Sequence, residues 1–122
     1  MVTLGSGVSI TQLGTMFLVA SRLYDAIWSE RYMSLIEDNA EGYENAAPLT
    51  YVHLLKGKLL LAHGTEDDNV HYQHTMQMVK RLQDAAKQFE LMLYPNKNHS
   101  IGGAKSQLHI YKLMMEFFLE NL

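Results

Sequence analysis

Three adjacent carboxylates, Glu66, Asp67 and Asp68, and a histidine further along, His99, are the residues whose types and spacing can do acid–base chemistry in this chain. A carboxylate bonded to one imidazole nitrogen fixes the tautomer and orientation of the ring, and leaves the other nitrogen to take a proton from a hydroxyl nucleophile. That is the acid and base of a serine hydrolase. The carboxylates follow a short apolar run, Leu59 to Ala62, and precede a helical pattern from Asn69 to Ala86. Asp67 or Asp68 therefore stands between a strand end and a helix start, where backbone N–H groups favour an ionised side chain. The plainer alternative is that these acids only cap the helix and solvate a loop.

The elements that must position these groups are legible from periodicity. Leu59 to Ala62, bounded by turn formers, reads as a strand buried on both faces. Met76, Val79, Leu82 and Ala86 recur at helical spacing and predict one apolar helix face, with Lys80, Arg81 and Asp84 toward solvent. Phe89, Leu91 and Leu93 alternate with Glu90, Met92 and Tyr94 as a strand does, and Pro95 ends it. Leu108, Tyr111, Met115, Phe118 and Leu122 mark a final helix whose stripe is expected to pack on the sheet. Upstream, residues 1 to 15 read as a loop or a severed end. Thr15 to Ala20 reads as another buried strand, Ser21 as the cap of a helix carrying Leu23, Tyr24, Ile27 and Trp28, Asp38 to Pro48 as a surface connection, and Pro48 to Leu55 as a short helix ended by Gly57. Strand, helix, strand, helix is a parallel α/β unit. Its ligands collect beyond the carboxyl ends of the strands, which is where the acid loop and the histidine loop fall.

At 122 residues with 48% hydrophobic content, the chain fits one domain with a core, and a net charge of -3 gives no basic surface for nucleic acid. No cysteine is present, so disulfides and thiolate metal sites are excluded. The apolar runs are far shorter than the roughly 20 residues that span a bilayer, and no leader is legible, so the sequence assigns no compartment. His71 and His74 have the i, i+3 spacing of metal ligands, and a metal-dependent hydrolase using the acid loop is one alternative reading. Partly exposed helix histidines are common and account for them without a metal, so no metal or other cofactor is expected. His53, His63 and His109 read as packing or surface residues.

The run His63-Gly64-Thr65-Glu66-Asp67-Asp68-Asn69-Val70-His71 closely resembles the acid loop of the dipeptidyl peptidase IV branch of the prolyl oligopeptidase family. Arg22-Leu23-Tyr24-Asp25, Ser29-Glu30-Arg31-Tyr32-Met33, Glu41-Gly42-Tyr43, and Tyr94-Pro95 followed by Asn98-His99 extend the likeness over about residues 20 to 122. The resemblance implies a partial α/β-hydrolase fold over 1–122, with three parallel strands near residues 15 to 20, 58 to 62 and 89 to 94, flanking helices, and a poorly matched segment 1–20. It implies Asp67 as triad acid and His99 as triad base. It also implies a proline-holding pocket drawing on Tyr24, Trp28, Asn69 and Val70, since an aromatic slot buries a proline ring without asking it for hydrogen bonds. The substrate would be a peptide with Pro or Ala at its second position.

The departures are specific. The family's nucleophile sits in a Gly-Trp-Ser-Tyr-Gly-Gly elbow well before the position of Arg22, and the chain is expected to begin too late to hold it. Gly7-Val8-Ser9-Ile10-Thr11 imitates Gly-x-Ser-x-Gly but lacks the last glycine. Ser21 stands where the family has a tryptophan, Glu66 replaces a small residue, and Ser100 replaces a glycine beside the base. The expectations are therefore a serine exopeptidase of which this chain carries acid and base but no nucleophile, inactive alone, or else a non-catalytic interaction module with the same fold. A strand stripped of its neighbour also predicts self-association, unless a remainder precedes this chain.

Overall fold

The computed structural model describes residues 2–4, 8–12, 31–68 and 70–121. Its sheet has four strands in the order β1 (Val2–Leu4), β2 (Val8–Gln12), β3 (Leu59–Gly64) and β4 (Glu90–Tyr94). β2, β3 and β4 are parallel, with Ser9 level with Leu59 and Leu60 level with Glu90, while β1 runs antiparallel to β2. Three parallel strands with flanking helices make this part of an α/β-hydrolase fold.

The segment expected to be a loop, residues 1 to 15, instead supplies β1 and β2, because local glycine content does not prevent extended backbone from joining a ladder. The strand expected at 15 to 20 and the helix expected after Ser21 lie outside the described residues. The open edge expected beside the central strands is covered by β2 and the three-residue β1, a short antiparallel strand of the kind that blunts a sheet edge.

The surface connection expected from Asp38 contains helix α1 (Ala40–Ala46). Asn39 is its N-cap: the side-chain Oδ1 accepts from Gly42 N–H at 3.2 Å, and its amide donates to the Met33 carbonyl. A 3-10 helix, Pro48–Leu54, follows with Pro at its start, where the missing N–H costs nothing. Helix α2 (Tyr72–Asp84) crosses from β3 to β4, and α3 (Ala104–Asn121) closes the chain.

The pleat of β3 sends successive side chains to opposite faces. Leu59 and Leu61 pack with Val52, Val70, Met78 and Leu82 on the α2 side, while Leu60 packs with Phe117 on the α3 side. Burial of each leucine contributes about 2 kcal/mol relative to exposure. On α2 the buried positions are His74, Thr75, Met78 and Leu82. The expected face of Met76, Val79, Leu82 and Ala86 is thus rotated: Leu82 and Val79 meet the core, but Ala86 lies past the helix, exposed, at φ 52°. The stripe expected on α3 is corrected more sharply. Phe117 is buried with Leu113, Met114 and Phe118 against it, whereas Leu108, Tyr111 and Met115 are exposed. α3 is apolar around most of its circumference, so periodicity alone does not choose its face.

Candidate active site

The acid loop leaves the carboxyl end of β3 and the histidine loop leaves that of β4, side by side because the strands are adjacent and parallel. Backbone bonds lace the two loops together. Thr65 N–H donates to the Tyr94 carbonyl and Glu66 N–H to the Lys97 carbonyl, each at 3.0 Å, and Asn96 N–H donates to Thr65 Oγ1. This approach needs a glycine at position 64. A Cβ there would sit 2.2 Å from the Lys97 carbonyl oxygen, inside any real contact distance.

Within this frame Asp67 Oδ2 lies 2.8 Å from His99 Nδ1. The other carboxyl oxygen, Oδ1, accepts from Val70 N–H at 2.8 Å, three residues on, and so ties the loop to its own backbone. Asp67 is buried, with its side chain 5% exposed, while the His99 side chain is 34% exposed. A buried carboxylate therefore orients a ring that reaches solvent. With Nδ1 engaged, Nε2 is the nitrogen left for proton transfer. Glu66 and Asp68 are exposed. None of the three acids caps α2, whose N-cap is His71 without a side-chain bond. The plainer alternative of acids serving only as helix caps is set aside for Asp67.

Of the remaining pocket candidates, the structure describes Val70, which meets Asp67 through its backbone N–H. Val70 is fully buried in the core with Leu61, Met78 and Leu82, so its side chain anchors the loop from beneath and does not face an open pocket. Tyr24, Trp28 and Asn69 lie outside the described residues. Ser9 is inside β2, in register with the first residue of β3, and the strand runs on to Gln12. It is not at a strand-to-helix turn, and at roughly 3.3 Å per residue it is some 16 Å short of the strand ends where Asp67 and His99 meet. His71 is exposed and His74 fully buried, with ring centroids 6.4 Å apart. Among the described residues no three His, Asp or Glu side chains are grouped to hold a metal ion.

The site contains one residue whose place the sequence did not reveal. His63, read above as a packing or surface residue, is buried with Nδ1 2.6 Å from Thr75 Oγ1 and Nε2 2.9 Å from the Val70 carbonyl. Its signal was its place in the strand: it follows Leu59 and Leu61 at the two-residue period, so it shares their buried face.

The sequence model of the prolyl oligopeptidase family matches residues 6–122. The chain belongs to the prolyl oligopeptidase family. Within this family of serine peptidases it falls in the dipeptidyl peptidase IV branch. It is 37% identical over 119 residues to dipeptidyl peptidase 4 of Bos taurus, covering 93% of this chain and 16% of that protein. Prolyl endopeptidase FAP of Mus musculus is similar to the same extent. Among solved structures, dipeptidyl peptidase 4 of Porphyromonas gingivalis superposes with a TM-score of 0.81 at 37% identity, covering 86% of this chain and 15% of that one. The chain thus spans about one sixth of the length of the curated relatives it matches.

Proposed function

We propose that this chain supplies the acid and base of a dipeptidyl peptidase of the prolyl oligopeptidase family, with Asp67 as acid and His99 as base. The observation that carries the reading is the 2.8 Å contact between a buried carboxylate and a partly exposed imidazole, at the carboxyl ends of adjacent parallel strands. In the reaction, a serine hydroxyl attacks the scissile carbonyl, its proton passes to His99 Nε2, and Asp67 stabilises the imidazolium. Collapse of the tetrahedral intermediate returns that proton to the leaving amine. Water then repeats the sequence on the acyl-enzyme.

The serine lies outside this chain, and the chain alone is inactive. Substrates are peptides with Pro or Ala at the second position, held against Tyr24, Trp28 and Asn69, with Val70 fixing the loop behind them. A second copy of the chain is a partner as well: β4 stands at the edge of the described sheet, and Leu108, Tyr111, Met115 and Leu119 form an exposed stripe on α3. Light scattering of the purified chain at micromolar concentration should report a species heavier than 13.9 kDa.

The deciding experiment uses the reading frame. Genomic sequence directly upstream is read for an in-frame Gly-x-Ser-x-Gly, and the polypeptide extended through it is treated with a fluorophosphonate probe. Labelling of the extended protein, its loss in His99→Ala, and no labelling of the 122-residue chain are expected. An extended protein that carries the elbow and is labelled equally well with and without His99 would refute the assignment of the base.

A further inference from the structure

His63 is a buried titratable group beside the Asp67–His99 pair to which the acid–base reading gives no task. Its side chain leaves β3 toward α2, 3% exposed, with the Tyr72 ring edge-on at 6.3 Å. The two ring nitrogens meet partners of opposite kind. A carbonyl can only accept, so the 2.9 Å contact with the Val70 oxygen requires hydrogen on Nε2. A neutral ring then offers a lone pair at Nδ1, and the Thr75 hydroxyl, fully buried 2.6 Å away, donates to it. Facing the same Nε2–H, at 3.5 Å, is Asp67 Oδ2, the oxygen that His99 Nδ1 also contacts.

We propose that His63 is a positioning residue of the acid loop: held by Thr75 as the neutral Nε2–H tautomer, it pins the Val70 carbonyl and so keeps the Asp67 carboxylate turned toward His99. Val70 is gripped on both sides, its N–H by Asp67 Oδ1 and its carbonyl by His63. Rotation of Val70 would withdraw the bond that sets the Asp67 carboxyl plane. The side chain must be neutral for this task. A protonated His63 would compete with His99 for the same carboxylate oxygen, and its Nδ1–H would make the Thr75 hydroxyl turn and accept, taking from the hydroxyl hydrogen the acceptor it now has.

Burial pushes the His63 imidazole below its ordinary value of 6.5, against the opposing pull of the Asp67 charge and the Val70 carbonyl, and charge on His99 lowers it further. Leucine at position 63 would fill the space but strand the Val70 carbonyl and the Thr75 hydroxyl. The importance of the contact for catalysis rests on the acid–base reading; the contact itself does not.

Proton and nitrogen NMR of the full chain tests the proposal without any activity. Long-range proton–nitrogen correlation should show His63 as the neutral Nε2–H tautomer, and the His99 Nδ1–H should give a far-downfield resonance. His63→Gln, whose amide nitrogen reaches the Nε2 position, should keep that resonance, and His63→Leu should lose it. Where His63→Leu does not fold, Thr75→Val replaces it: solvent exchange of the His99 Nδ1–H should quicken about tenfold, the equivalent of one buried hydrogen bond, and Thr75→Ser should restore it. A His63 carrying its hydrogen on Nδ1, or a His99 resonance unchanged in His63→Leu or Thr75→Val, overturns the proposal. These signals stand whether or not the extended protein turns over substrate, so the two readings fail separately.

Discussion

The two faces of the sheet are built differently. On the α2 side, Leu59, Leu61, Val70, Met78 and Leu82 form one sealed cluster with Val52, and the loop bearing Asp67 is rooted in it through Val70 and His63. On the α3 side the buried apolar cluster among the described residues is smaller, Leu60 with Phe117, beside Tyr94, whose hydroxyl meets His109 of α3 at 2.9 Å, and α3 turns Leu108, Tyr111, Met115 and Leu119 outward. The closed face can hold a carboxylate in place because close-packed interiors do not yield gradually. The open face has no such demand on it, and its outer stripe suits a partner surface.

Truncation is the strongest way to break this contrast. Leu82→Ala should cost about 3–4 kcal/mol in urea unfolding, since its cavity lies in the sealed cluster. Phe117→Ala removes more volume, yet should cost only about 2 kcal/mol, because half-exposed neighbours can collapse or admit water. A Phe117 penalty above that of Leu82 would erase the distinction between the faces.

Next in size is Gly64→Ala, at the seam between the two loops. The added methyl meets the Lys97 carbonyl, so the backbone must part there and the Glu66 N–H bond to that oxygen goes with it. A loss of about 2–3 kcal/mol is expected, together with loss of the downfield His99 proton. Unchanged stability would show that the loops are not interlocked.

A smaller effect follows from pH. The folded-state pKa of His63 is lowered, so below the ordinary 6.5 the unfolded chain binds a proton that the native chain resists. Its contribution is complete above that value and is lost as pH falls from it toward the lowered one. Comparing urea midpoints at about pH 7.5 and about pH 5.5, wild type should lose roughly 1 kcal/mol more than His63→Gln. Equal slopes would mean that the site accepts a charged imidazole. The smallest change is expected on the open face, where Leu119→Ser should shift stability by less than about 0.5 kcal/mol while reducing light scattering. A large destabilisation would mean that this side chain is covered.

The acid loop was legible because its information is local. A buried apolar strand, three acids and a helix pattern occur in sequence within one turn of chain, and His99 follows the next strand by the same logic. Asp67 could not be chosen over Asp68 from pattern alone, because neighbouring loop carboxylates have the same local chemistry. The family resemblance pointed to Asp67, and in the fold Val70 N–H and His99, one of them 32 residues distant, hold that carboxylate. Residues 1 to 15 misled for the complementary reason. Gly5, Gly7 and the small polar residues have little strand preference of their own, and β2 exists by hydrogen bonding to β3, some fifty residues away.

What the sequence determined by itself was therefore the order and kind of the elements from Pro48 onward, and the chemistry available at their ends, since periodicity and turn residues act over a few positions. What only the tertiary structure decided was orientation. α3 carries apolar side chains around most of its circumference, and the sheet selected Leu113, Met114 and Phe117 over Leu108, Tyr111 and Met115. His63 could have been a plain core residue until Thr75, from one turn into α2, and the Val70 carbonyl met its two nitrogens. Hydrogen bonds need angles and distances as well as residue types, and those are set only when strands and helices have packed.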